Sequence, residues 1–170
     1  MLFMARLRIL TQEDPTLRMH GREVTEITPR ILRLLDDMAQ TMREAEGCGL
    51  AAPQVGVLRR VVVVETEPGE LYELINPSIL TRAGTQRGVE GCLSVPGKQG
   101  IVTRPMYVTV RAQDRTGAWR EYRGEGLLAR AFCHEIDHLD GKLYTDIAEE
   151  MEEEMPVPSQ RGRLRKGKRR

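Results

Sequence analysis

The chain has 170 residues, one domain's worth, long enough to bury roughly 70% of its unfolded surface without staples. Hydrophobic residues make up 40% and charged residues 30%, which excludes a disordered chain, and no stretch nears the ~20 apolar residues of a membrane-spanning helix. The net charge of +1 hides an asymmetry: residues 156–170 (PVPSQRGRLRKGKRR) carry seven Lys or Arg and no acid, leaving −6 on residues 1–155.

The start, MLFMARLRIL, has too short an apolar region and no small-residue cleavage site for a secretory signal, so a cytoplasmic location is expected. Three cysteines, an odd number, argue against a disulfide framework and for thiols that are buried, reactive or metal-bound. Aromatic residues are only 4%, which argues against a base-stacking platform; neither a membrane nor a sequence-specific nucleic-acid partner is expected.

In chain order, residues 29–45 read as an amphipathic helix: Ile31, Leu34, Leu35, Met38 and Met42 recur at three and four, with Thr28 as cap and Pro29 at the first position. GCGLAAPQVG, residues 47–56, holds three glycines and a proline and reads as a close-approach loop. Residues 61–65 and 71–77 are strand candidates around a Pro-Gly turn, and EGCLSVPG at 90–97 is a second Gly/Pro-bracketed loop. Further strands are expected at 101–103, 106–113 and around Trp119–Arg123, with a turn at 114–117. Residues 126–139 read as a second helix with Leu127, Leu128, Ala131, Phe132 and Leu139 as its apolar body. The order implies an α+β fold: antiparallel β-sheets packed around the second helix, with an N-terminal helix.

That second helix carries His134-Glu135-Ile136-Asp137-His138. Two histidines four apart stand about 40° apart around the axis and about 6 Å apart along it, so both imidazoles can reach one metal ion. Glu135 lies on the adjacent face, within reach of a metal-activated water but poorly placed as a ligand. A chance match on a polar helix face is the alternative; the otherwise apolar helix argues against it. The third ligand is open from spacing alone. Cys48 and Cys92 both lie in glycine loops that could approach the ion, with Cys92 preferred, whereas Cys133 reads as a packed core thiol and His20 as a surface histidine.

GCGLAAPQ at 47–54, EGCLS at 90–94 and HEIDHLDG at 134–141, with LINP at 74–77, resemble in order and spacing the signature motifs of the bacterial-type peptide deformylase family. The resemblance covers most of residues 5–147. Cys133 departs from it, standing where many members have Gln. What it implies is a metal-dependent hydrolase that removes the formyl group from the N-terminal formylmethionine of nascent polypeptides. The ligands would be Cys92, His134 and His138, holding one divalent ion per chain: Fe²⁺ in the cell, with Zn²⁺, Ni²⁺ or Co²⁺ accepted. Metal-activated water would attack the formyl carbon with Glu135 as general base and then general acid. The side-chain amide of Gln54 and the backbone N–H of Leu93 would face the oxyanion.

By the same resemblance, backbone groups of Cys48, Gly49 and Gly91 would pair with the substrate main chain as an added strand. Leu127 and Ala131 are candidates for the wall of the methionine pocket, with ordinary core packing as the alternative. Glu90 and Arg104 would form a supporting pair that orders the cysteine loop. The catalytic domain is assigned to residues 1–148, with 149–170 an acidic run followed by a basic, disordered tail through which a ribosome could be bound. Two other classes compete: an HExxH endopeptidase, which needs a third ligand other than Cys92, and a non-catalytic ribosome-associated metal module, which has no use for Glu135.

Overall fold

The computed structural model describes residues 5–153. Two antiparallel sheets and two helices make the α+β architecture expected from the sequence. Helix α1 spans Pro29–Glu44, and the Thr28 hydroxyl caps it by accepting from the Ile31 N–H at 3.4 Å. Strand β1 is Gly49–Ala51, followed by a 3-10 turn at Ala52–Val55, then β2 at Val61–Val64 and β3 at Tyr72–Ala83. A hairpin follows, β4 at Gln86–Cys92 and β5 at Val95–Arg104, then β6 at Tyr107–Gln113 and β7 at Trp119–Glu125. Helix α2 spans Leu127–Leu139, and β8 at Glu150–Glu153 ends the described chain. None of the described helices is long and apolar enough to cross a membrane.

The first sheet runs β1-β2-β3-β6-β7 and is covered on both faces. Its second strand shows why: Val62 and Val64 pack with Phe132, Ile136 and Leu139 of α2, while Val61 and Val63 pack with Ile31, Leu35, Met38 and Met42 of α1. Alternation sends successive side chains to opposite faces, so an unbroken valine run is what a doubly covered strand requires. Buried Asp37 and Thr41 of α1 accept from the Ala5 and Leu7 N–H groups, which satisfies two polar side chains inside that layer.

Four segments differ from the sequence reading. The loop expected at 90–97 narrows to Leu93 and Ser94, because β4 runs to Cys92 and the strand expected at 101–103 already begins at Val95, the two pairing as a hairpin. The glycine loop contains β1, a three-residue strand too short to show periodicity, paired with β2 through Gly49↔Val64 to Ala51↔Val62. The strand expected to stop at residue 77 continues to Ala83. It passes Pro77 at a register shift where Asn76, at φ 53°, turns its amide to Val24 and Gln113. Within the acidic run grouped with the tail, residues 150–153 form β8, paired with β5 in the second sheet, β4-β5-β8. Met151 lies against Gly100 there, and Arg87 pairs with Glu149 just before it, so the run is held by partners distant in sequence. The basic segment 156–170 lies outside the described residues.

Candidate metal centre and active site

Helix α2 is the axis of the site. It is buried along most of its length, from Ala129 to Leu139 with Asp137 alone half-exposed, so polar side chains on it must find partners inside the fold. The donor atoms of Cys92, His134 and His138 lie within 4.8 Å of one another. Cys92 Sγ stands 3.4 Å from His138 Nε2. A tetrahedral ion with bonds of about 2.3 Å to sulfur and 2.0 Å to nitrogen has such an edge of roughly 3.5 Å, so these residues fit a small divalent ion. Cys48 is an exposed residue of the same cleft and is not part of this cluster. Cys133 packs in the core and His20 is exposed.

Glu90 organises the cluster. Its Oε1 meets His134 Nδ1 at 2.6 Å, which leaves Nε2 as that imidazole's donor toward an ion. Arg104 clamps the same carboxylate through Nη2 and Nε at 2.7 and 3.0 Å, and donates through Nη1 to Asp137 at 2.8 Å. Burial alone would push the Glu90 carboxyl up, but hydrogen bonds from His134 and Arg104 hold it well below the usual carboxylate range. Burial also opposes the charge of His134, yet the hydrogen bonds to Cys92 and Glu90 carry its pKa above the ordinary value. His138 goes the other way, pushed down by burial and by the His134 charge.

Glu135 stands beside this group, with Oε1 3.9 Å from His134 Nε2 and Oε2 buried without a hydrogen-bond partner among the described residues. Burial raises its carboxyl to about 7, against the pull of His134. A carboxylate poised there can take and return a proton near neutral pH. Gly49 makes room for it: a Cβ at that position would stand 2.6 Å from Glu135 Oε1. The Gln54 amide is oriented without ambiguity, since Oε1 accepts from the Ala51 N–H at 2.9 Å. Its Nε2 then points to Ser94 Oγ at 3.0 Å and Cys92 Sγ at 3.6 Å.

Gln54, Glu90, Cys92, His134 and Glu135 line a cleft of about 560 Å³. Cys48, Gly49, Gly91, Leu93, Leu127 and Ala131 all line it as well. Gly49 belongs to β1 and Gly91 to β4, which are edge strands of the two sheets. Leu93 lies in the two-residue turn between β4 and β5, directly after Cys92. Arg104 lies behind Glu90, buried and away from the cleft lining.

Sequence reasoning missed three contributors. Arg130 donates to Glu90 Oε2 at 2.7 Å and to the Val102 carbonyl at 3.0 Å. It lies on the stripe 127, 130, 131, 134 of α2, so its spacing from His134 was a usable signal. Asp137, inside the HExxH run, could have been paired with a cation by the same logic. Ser94 gives no signal beyond its place in the cysteine loop.

A model of the family described as polypeptide deformylase matches residues 6–154. The chain belongs to that family. It is 56% identical over 145 residues to the peptide deformylase of Lachnoclostridium phytofermentans, covering 84% of this chain and 89% of that one. It is 53% identical over 146 residues to that of Agathobacter rectalis, with 86% and 92% covered. Among solved structures, a peptide deformylase from Legionella pneumophila superposes with a TM-score of 0.83 at 42% identity, covering 85% of this chain and 87% of that one. The Thermotoga maritima peptide deformylase gives 0.83 at 36%, with 86% and 99% covered. As a polypeptide deformylase the chain is a hydrolase that removes the formyl group from the N-terminal methionine of nascent peptides, and the family is metal-dependent.

Proposed function

We propose that Cys92, His134 and His138 hold the ion of this deformylase, that Glu135 moves the proton, and that Gln54 and Leu93 face the developing oxyanion. The observation that carries this reading is the convergence of three donor atoms beside a buried carboxylate, with Cys92, His134 and Glu135 lining the cleft. A divalent ion bound there supplies a Lewis acid that activates water at neutral pH. As a water oxygen adds to the formyl carbon, Glu135 would take that water's proton and return it to the amine nitrogen, which leaves as the formyl C–N bond breaks and formate is released. The Gln54 Nε2–H and the Leu93 backbone N–H are donors available to the formyl oxygen as it becomes anionic. The edges at Cys48, Gly49 and Gly91 accept the substrate main chain as a strand, so side chains past the first contribute little to recognition. Leu127 and Ala131 flank the methionine side chain, and Glu90 with Arg104 holds His134 in register.

Fe²⁺ is the ion in the cell on this reading, with Zn²⁺, Ni²⁺ or Co²⁺ supporting the same site, and the protein works in the cytoplasm. The seven positive charges of 156–170 serve as a tether to the ribosome. Formyl-Met-Ala-Ser and an unformylated peptide, each incubated with the metal-loaded protein, test the reaction. Formate from the first with both peptide chains intact is expected; peptide fragments would point to an endopeptidase, and no product from either would point to a non-catalytic module.

A further inference from the structure

Leu127, Arg130, Ala131 and His134 recur at three and four along α2 and form one wall of the cleft. Arg130 is 6% exposed. Its Nη1 donates to Glu90 and to the Val102 carbonyl. Gly88 pairs with Val102 across β4 and β5, and a Cβ built at Gly88 would stand 3.3 Å from Arg130 Nη2. The bare backbone at residue 88 therefore lets the guanidinium lie across β4. Among the described residues Nη2 has no hydrogen-bond partner, although a guanidinium carries five N–H donors in one plane. Arg130 lines the cleft beside the aliphatic Leu127 and Ala131, and its Nη2 is a cationic donor that none of the described residues uses.

We propose that Arg130 is a specificity-determining residue, whose free Nη2 edge donates to an acceptor at the δ position of the substrate's first side chain. The proposal rests on the reading that this side chain enters beside Leu127 and Ala131. Methionine places a thioether sulfur at that position, which is a weak acceptor. Methionine sulfoxide places a strong acceptor oxygen on the same atom, and norleucine offers only a methylene. Methionine and norleucine are unbranched and close in size, and the sulfoxide differs from them by one oxygen on the δ atom, the acceptor itself. A wholly apolar pocket ranks norleucine above the sulfoxide, because the S=O group would lose its water and gain nothing. A pocket with a guanidinium edge reverses that order through a charge-assisted hydrogen bond. The substrate class then extends to nascent chains whose initiator methionine has been oxidised.

The test is kcat/KM, read by formate release, for formyl-Met-Ala-Ser, its methionine-sulfoxide form and its norleucine form on the metal-loaded full chain. The sulfoxide is expected to exceed norleucine by about tenfold, the factor that a charge-assisted hydrogen bond confers, and mainly through KM. Arg130→Met is expected to invert that order and Arg130→Lys to restore part of it. Norleucine ahead of the sulfoxide in the unsubstituted protein overturns the proposal. So does an Arg130→Met protein in which kcat falls alike for all three and the order stays, since that is a purely structural arginine. If Arg130→Met does not fold, the order in the unsubstituted protein decides by itself. No formate from formyl-Met-Ala-Ser overturns both this proposal and the active-site reading beneath it.

Discussion

Glu135 and Glu90 are both buried carboxylates on one histidine, and their surroundings push them in opposite directions. Glu90 is saturated by Arg104, Arg130 and His134, whereas Glu135 has one oxygen without a partner. Glu135→Ala is therefore expected to keep fold and metal while losing activity by a factor on the order of 10³ or more, checked by metal analysis beside kcat. If bound metal falls in step with activity, Glu135 is a ligand and its role as proton carrier is wrong. A second consequence appears in the metal-free protein. Glu135 has a folded pKa raised from 4.5 to about 7, so between those values the native state binds more protons than the unfolded one. Stability from this group is full below pH 4.5 and is lost as pH rises through 7, by on the order of 3 kcal/mol. Denaturant titrations of the chelated protein should show this decline, and Glu135→Gln should remove it; equal slopes with pH in the two proteins would refute the assignment.

Among the elements, the β4–β5 hairpin carries Glu90, Cys92 and Arg104, while α2 carries both histidines, so the centre exists only where the two meet. Arg104 joins them, bonded to Glu90 on its own hairpin and to Asp137 on the helix. Removing one partner of a buried pair costs more than the pair contributes, because the other charge is left without compensation. Arg104→Leu is thus expected to lower stability by about 3–5 kcal/mol and to weaken metal binding, measured by unfolding and by competition with a chelator. Unchanged metal affinity would show that the pair supports the fold alone. Strand β1 contributes through an absence: Gly49→Ala would drive a methyl into Glu135, and activity should fall while α2 and the metal remain.

For the whole molecule, much was legible because local chemistry and global packing agree. Ile31, Leu35, Met38 and Met42 mark the buried face of α1, and the His134–His138 spacing marks the centre, since both depend on helical period alone. What escaped depends on contacts distant in sequence. Residues 150–153 belong to the acidic run grouped with the tail, yet they pair with β5. Arg130 drew no role from the sequence, yet it reaches Glu90 forty positions away. The thiolate beside a redox-active ion gives a further expectation: in air, activity should decay faster with Fe²⁺ than with Ni²⁺, with oxidation at Cys92 seen by mass spectrometry. Unmodified Cys92 in the inactive protein would contradict it. Deleting 156–170 should leave turnover of a short formyl-peptide nearly unchanged while weakening ribosome sedimentation and flattening its salt dependence. Equal pelleting at low salt would retire the tether.

The central claim is that one thiolate and two imidazoles hold the ion over which Glu135 works. X-ray absorption on the zinc-loaded protein tests it most directly. One sulfur at about 2.3 Å and two nitrogens at about 2.0–2.1 Å are expected, with the sulfur lost in Cys92→Ser and kept in Cys48→Ser. A shell without sulfur, or a sulfur that survives Cys92→Ser, would contradict the account.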